Sequence, residues 1–220
     1  MQYEEFLELV KTRRSIRRYK ETPVSMDFVK KILEVARWAP SGANSQPWEF
    51  IIVANKDVKD KIVDLIKRNL PPHKKTEEEE PKPPEGFKDA PVFIIVCGDM
   101  RRKILLPGSV YKMEDQKIKS IENSDLNTEE IFNSNLSNAI LYIHLAAKTL
   151  GLGSQWVTGT NHPKVQNKIK KLLKIPEYLR IYDTVALGYP ATKPKARFVR
   201  ELKEIMHYDV YDKTKSKTDS

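Results

Sequence analysis

The chain has 220 residues, of which 40% are hydrophobic and 31% are charged, so it can bury one sizeable core. This composition excludes a low-complexity or wholly disordered protein, and no apolar run approaches the roughly 18 residues that a membrane span needs. The 39 Lys and Arg exceed the 30 Asp and Glu, and the net charge of +9 suggests either an anionic partner or a lysine-rich solvated surface.

The spacing of apolar residues predicts helices that alternate with short strands. In chain order these are helices over 3–12 and from 25 or 26 to 38, a strand over 48–54, a helix over 58–70, a strand over 90–97, a helix over 128–150, a strand over 153–157, a helix over 163–173 and a strand over 183–187. Ser25 fits an N-cap, Pro40 stops the second helix, and Gly151 ends the long one. The alternation indicates an α/β or α+β sandwich in a single domain, residues 1–212, and by itself favours a parallel sheet.

Three polar segments fall outside these elements. Residues 71–87 contain five prolines and an acidic run, which predicts a mobile, solvated loop. Residues 98–127 have only weak helical periodicity, and 100–127 is a candidate lid. The polar tail over 213–220 is expected to be disordered.

Common catalytic and metal-binding motifs are missing from the sequence. Gly151-Leu152-Gly153 follows a helix and has Trp156 where the dinucleotide fingerprint needs a third glycine. The four histidines share no metal-ligand spacing, and His144 on the long helix is interpreted as a packing residue. We therefore expect no metal site and no catalytic side chain.

The cysteine count and the N-terminus bear on location. Cys97, the single cysteine, excludes an internal disulfide and a cysteine-based zinc site, and it lies in a predicted buried strand as a core residue. The first residues are acidic and amphipathic, unlike a signal peptide. A cytoplasmic location is expected, without a membrane partner.

Three other segments could bind a ligand. The basic run over 13–18 could bind a phosphate through several guanidinium groups, or it could be a solvated turn. The loop over 40–48 has small residues that permit close backbone approach, with an amide and hydroxyls that suit the edge of a planar ring; alternatively it is a polar turn. Gly188-Tyr189-Pro190, followed by Lys193, Lys195 and Arg197, could meet the same phosphate from the other side, or be a basic linker.

Taken together, these segments resemble the FMN-dependent nitroreductase family. Thr-Arg-Arg-Ser-Ile-Arg-Arg-Tyr at 12–19 and Ala-Pro-Ser-Gly-Ala-Asn-Ser-Gln-Pro-Trp-Glu-Phe at 39–50 look like its two N-terminal signatures. Gly-Leu-Gly-Ser-Gln-Trp at 151–156, after a long helix, is similar to its central segment. Leu-Gly-Tyr-Pro at 187–190 with Pro-Lys-Ala-Arg at 194–197 resembles its C-terminal one. Order and spacing agree over about residues 3–200.

The resemblance implies an α+β fold, a three-layer sandwich in which helices flank a central, mostly antiparallel sheet. It also implies an intertwined homodimer with FMN at the subunit interface. By motif, the ribityl phosphate would be held by Arg13, Arg14, Ser15, Arg17, Lys195 and Arg197. The isoalloxazine would be lined by Pro40, Ser41, Gly42 and Asn44 of the partner subunit. Its opposite edge would meet Gln155, Trp156, Val157, Thr158 and Gly159.

The implied activity is a ping-pong transfer of hydride from NADH or NADPH, through flavin N5, to a small oxidant such as a nitroaromatic or a quinone. The family also includes proteins resembling reductive dehalogenases of iodinated tyrosine, which use a lid where 100–127 lies here. In this chain Tyr111, Lys112 and Glu114 could contact a zwitterionic substrate, or belong to a solvated helix. A dehalogenase-like activity is therefore the alternative.

A rival from a different class is a nucleic-acid-binding protein that uses 13–18, the helix over 164–174 and the lysine tail. The basic residues are dispersed, however, and no recognised nucleic-acid motif is present. We therefore do not expect nucleic acid as a partner.

Overall fold

The computed structural model describes residues 2–69, 86–102, 128–194, 196–212 and 214. The predicted mobile loop over 71–87 lies outside these residues except for 86–87. The candidate lid lies outside them beyond Arg102, together with Tyr111, Lys112 and Glu114. Lys195 and the predicted tail, apart from Thr214, are outside them as well.

The elements predicted from the sequence are present, with shifts of no more than two residues at their ends, apart from an earlier start of four residues for the last strand. In chain order they are α1 Tyr3–Thr12, α2 Met26–Ala36, β1 Trp48–Val53, α3 Lys56–Asn69, β2 Val92–Asp99, α4 Thr128–Thr149, β3 Gly153–Val157, α5 Pro163–Leu173, β4 Leu179–Gly188 and α6 Leu202–Ile205. The Ser25 hydroxyl accepts a hydrogen bond from the Asp27 N–H at 3.2 Å, as expected for an N-cap. Gly151 ends α4 with a φ of 72°, a conformation that glycine adopts readily. The short α6 is an addition that the sequence pattern did not indicate.

The four strands form one sheet in the order β1-β2-β4-β3, and every neighbouring pair is antiparallel. This confirms the sheet implied by the resemblance and not the parallel sheet that alternation alone favours. The register shifts between Val96 and Cys97, which pair with Asp183 and Ile181 and leave Tyr182 as an extra residue of β4. This bulge changes which alternate residues of β4 face each side of the sheet.

Helices cover both faces of the sheet, so the fold is the expected three-layer sandwich. On one face Val92, Ile94 and Val96 of β2 pack in a core with α2 and α4. On the other face Phe93, Ile95 and Cys97 pack in a core with α3 and α5. Cys97 is fully buried, and burial raises the pKa of its thiol to about 12, which is consistent with the predicted core role. No helix of the described ranges is both long and apolar enough to cross a membrane.

The basic segment after α1 runs along the free edge of β3. The Ile16 N–H donates to the Ser154 carbonyl at 3.0 Å, and Ser15 and Ser154 form a parallel bridge. Further on, the Ala191 N–H donates to the Arg18 carbonyl at 2.9 Å. A Cβ on Gly153 would lie 2.5 Å from Ile16 Cγ1, so glycine permits this close approach. These contacts bring the basic run next to the segment that follows β4.

Candidate functional site

A cavity of about 470 Å³ opens where the basic run, the end of α4 and the segment after β4 meet. It is lined by residues 11–14 and 16, by His144 and Lys148 of α4, by 151–154 at the start of β3, and by 190, 193, 194 and 196. The volume lies within the range of small-molecule sites. Two of the three segments singled out from the sequence therefore form one site.

The cavity is strongly cationic. Lys11, Arg13, Arg14, Lys148 and Lys193 line it, and the described lining residues include no Asp or Glu. Burial, together with repulsion from Arg197 and Arg14, lowers the pKa of Arg13. Such a concentration of like charge is unfavourable unless an anion binds, and guanidiniums suit the oxygens of a phosphate.

A buried polar network lies beneath these cations. His144 Nδ1 and Ser154 Oγ are 2.7 Å apart, and the His144 ring also contacts Trp156. Burial, with a smaller contribution from Arg13, lowers the pKa of His144 to about 4, so the imidazole is neutral at pH 7. His144 is therefore buried, as expected for a packing residue, but its ring also lines the cavity.

The network does not form a nucleophilic triad. Asp183 Oδ2 accepts a hydrogen bond from the Trp156 indole N–H at 2.7 Å. Among the described residues, Asp183 makes no hydrogen bond to the His144 imidazole. Ser154 is only 2% exposed. These contacts join residues of α4, β3 and β4, and no local spacing in the sequence indicates them.

The loop over 40–48 is held against the first half of α4. Asn135 Oδ1 accepts from the Gly42 N–H at 3.0 Å, and Asn135 Nδ2 donates to Ser45 Oγ at 3.1 Å. Asn138 Nδ2 donates to the Pro40 carbonyl at 3.1 Å. Inside the loop, Ala43, Asn44 and Gln46 have positive φ values, which are uncommon for residues with a side chain. The loop is thus fixed in a strained conformation, a feature that clusters at ligand-binding sites.

This loop and the cationic cavity are apart within one chain. Asn135 and His144 are nine residues apart on α4, which corresponds to about 14 Å along the helix axis. Pro40, Ser41, Gly42 and Asn44 do not line the cavity. Within one chain, the loop and the cavity therefore lie at separate places.

The remaining predicted residues differ in their surroundings. Ser15 and Arg17 follow the cavity-lining Arg13 and Arg14 but are not among the lining residues. Val157 packs in the core with α3 and α5. Gln155 Oε1 is buried without a hydrogen-bond partner in the part of the chain that the structure describes. Thr158 and Gly159 form the turn after β3, where Gly159 has a φ of 108°.

Comparison with known proteins identifies the family. The model of the nitroreductase family matches residues 10–189, which include the basic run, the strained loop and the whole sheet. The chain belongs to the nitroreductase family.

Relatives of this nitroreductase-family chain include archaeal and bacterial proteins. It is 34% identical over 195 residues to the "Putative NADH dehydrogenase/NAD(P)H nitroreductase" of Methanothermobacter thermautotrophicus, a match that covers 87% of this chain and 80% of the relative. It is 28% identical over 205 residues to the iodotyrosine deiodinase of Thermotoga neapolitana, covering 93% and 97% of the two chains. The solved FMN-dependent nitroreductase of Clostridium difficile R20291 is 25% identical, has a TM-score of 0.66, and is matched over 99% of its length and 93% of this chain.

Proposed function

We propose that this nitroreductase-family protein is an FMN-dependent oxidoreductase that uses NADH or NADPH to reduce a small oxidant. The observation that carries the proposal is the cationic cavity lined by Arg13 and Arg14, where burial and repulsion from the nearby Arg197 and from Arg14 lower the pKa of Arg13. One phosphate monoester would offset much of this repulsion. The names of the relatives support the same activity.

The residues present fit FMN. Arg13 and Arg14 would hold its phosphate together with Arg197, and the resemblance adds Lys195 to this set. Backbone and small side chains of the loop over 40–48 would line the planar ring. When bound, FMN supplies the two-electron chemistry that links the nicotinamide to the oxidant. The protein's own part is to bind and orient the reactants.

The separation of the loop over 40–48 from the cavity supports a homodimer with shared active sites. A complete site needs the cavity of one protomer and the strained loop of its partner. The segment after β4 carries large apolar side chains that are exposed in the single chain: Phe198, Val199, Leu202, Ile205, Tyr208, Val210 and Tyr211. Burial of such a surface against a second copy is strongly favourable.

The oxidant that we favour is a nitroaromatic or a quinone. Reductive dehalogenation of an iodinated tyrosine is a second candidate, because the deiodinase of Thermotoga neapolitana is similar to this chain over nearly its full length. A comparison of nitroaromatics, quinones and iodotyrosine as oxidants of the reduced enzyme separates these activities.

The test begins with flavin binding. Arg13→Ala with Arg197→Ala should weaken FMN binding by about a hundredfold or more, because each charge-assisted hydrogen bond contributes about 1.5–3 kcal/mol. Arg68→Ala, which removes an exposed cation of α3 that pairs with Asp64, is the matched control. FMN fluorescence titration gives the affinities, and anaerobic bleaching by NADH and by NADPH identifies the donor.

Two results would contradict the proposal. A double variant that retains FMN as tightly as the wild type would exclude the phosphate assignment. A colourless protein that binds DNA with a steep salt dependence would favour the nucleic-acid-binding rival.

A further inference from the structure

His144 combines burial with access to the cavity. It is 7% exposed, lines the cavity, and contacts Ser154 through Nδ1. Within the described residues Nε2 has no hydrogen-bond partner. It is therefore the nitrogen left for a ligand of the cavity that the ring lines.

The contact with Ser154 determines which nitrogen carries the proton. The Ser154 hydroxyl is buried and has no acceptor other than His144 Nδ1 in the described part of the chain. If Nδ1 donated to Ser154, the hydroxyl proton would be left buried without an acceptor, which costs about 1–3 kcal/mol. Donation from the hydroxyl to Nδ1 avoids this loss and leaves the proton on Nε2.

A neutral donor has a specific advantage among cations. Arg13 and Lys148 already line the cavity beside His144, so a further positive charge would increase the repulsion between them. An uncharged N–H adds a directional hydrogen bond to an oxyanion without adding charge. The imidazole is also fixed by Ser154 and Trp156, so little side-chain entropy is lost when it binds.

We infer that His144 is a phosphate-binding residue that donates an Nε2–H hydrogen bond to a phosphate oxygen in the cationic cavity, and that Ser154 is the positioning residue that sets its tautomer. The inference rests on the proposed function, since it takes that phosphate to be the monoester of FMN. The same chemistry applies to free inorganic phosphate, and the experiment distinguishes the two sources.

The test compares ligands that differ only in the phosphate. Dissociation constants for FMN and for riboflavin are measured on the full-length protein after removal of flavin, for the wild type and for His144→Leu, His144→Gln and Ser154→Ala. We expect His144→Leu to weaken FMN binding by about tenfold while riboflavin binding stays unchanged. His144→Gln, which has an amide N–H at about the reach of Nε2, should recover part of the loss, and Ser154→Ala should show a smaller loss.

The outcomes separate the inference from the proposed function. If the wild type binds FMN more tightly than riboflavin and His144→Leu leaves that ratio unchanged, the inference is wrong and the proposed function stands. If the wild type binds FMN and riboflavin equally, the phosphate assignment itself fails. If the wild type binds neither flavin but its His144 resonance responds to inorganic phosphate, the phosphate source is not FMN.

A direct measurement covers the case in which His144→Leu does not fold. In ¹⁵N-histidine NMR spectra of the wild type at pH 7, Nε2 should carry the proton, and its resonance should shift when inorganic phosphate is added. A proton on Nδ1, or no shift at a saturating phosphate concentration, would overturn the inference.

Discussion

At the scale of single residues, Asp183 is the least favourable group in the polar network. Its Oδ2 accepts from the Trp156 indole, but its Oδ1 is buried without a hydrogen-bond partner among the described residues. Burial raises the pKa of Asp183 to about 6, although the hydrogen bond from Trp156 acts in the opposite direction. The fold thus disfavours the charged carboxylate.

This pKa predicts how stability changes with pH. Because the folded pKa of about 6 exceeds the ordinary value of about 3.9, the unfolded chain releases its proton first as the pH rises. The free energy of unfolding therefore falls between about pH 4 and pH 6, by on the order of 2 kcal/mol, and stays lower above that range. Asp183→Asn removes the titration, so its stability relative to the wild type should rise by about this amount from pH 4 to pH 7.

Urea unfolding of both proteins at pH 4 and pH 7, in the same flavin state, measures this difference. The matched control is Asp57→Asn, an exposed carboxylate in the first turn of α3. An Asp183→Asn variant whose stability relative to the wild type is the same at both pH values would show that Asp183 titrates normally.

At the scale of elements, local patterns predicted the helices and strands because each has a regular period. The predicted strand over 183–187 omits the first four residues of β4, 179–182, because the regular period does not continue through them. The bulge at Tyr182 breaks the alternation, so Ile181 and Ala186 face the same core from odd and even positions. Strand direction depends on pairing between distant segments, and only the resemblance supplied it.

In the site as well, features that are local in the sequence can be predicted from it, whereas contacts between distant segments cannot. The basic run and the loop over 40–48 are continuous in the sequence and were found there. The contacts of His144 with Ser154 and of Trp156 with Asp183 join different elements. They depend on how α4 packs against the sheet, and no spacing of residue types indicates them.

The anchoring of the loop over 40–48 on α4 gives a prediction at this scale. Asn135 is buried and bonds both the Gly42 N–H and Ser45 Oγ, whereas Asn138 makes one described bond, to the Pro40 carbonyl. Asn135→Ala removes both bonds and leaves the Gly42 N–H without its described acceptor, so it should lower the free energy of unfolding by about 1–3 kcal/mol. Asn138→Ala is the matched control and should cost less.

Amide hydrogen exchange at Gly42 reports on the loop directly. The exchange rate should increase in Asn135→Ala, because the Gly42 N–H loses its acceptor, and should change little in Asn138→Ala. Equal protection of Gly42 in both variants would show that the backbone holds the loop without Asn135.

At the scale of the whole molecule, the exposed apolar segment after β4 and the separation of the loop over 40–48 from the cavity lead to one proposal. Phe198 is 88% exposed in the single chain, an unfavourable state for a large aromatic side chain. The strained loop is likewise remote from the cavity of its own chain. Association with a second copy would bury the apolar side chains and complete the flavin site, so dimerisation and FMN binding should be coupled.

Phe198→Glu with Leu202→Glu tests this coupling. Burial of each apolar side chain contributes about 1.5–3 kcal/mol, and buried unpaired carboxylates would add a further penalty. The double variant should be a monomer by light scattering and should lose FMN, although both changes lie outside the residues that line the cavity. Lys203→Gln, at an exposed position of the same segment, should remain a dimer and retain FMN.

A double variant that is monomeric yet binds FMN with wild-type affinity would show that one chain contains the complete cofactor site. A double variant that remains a dimer would show that the interface lies elsewhere on the molecule.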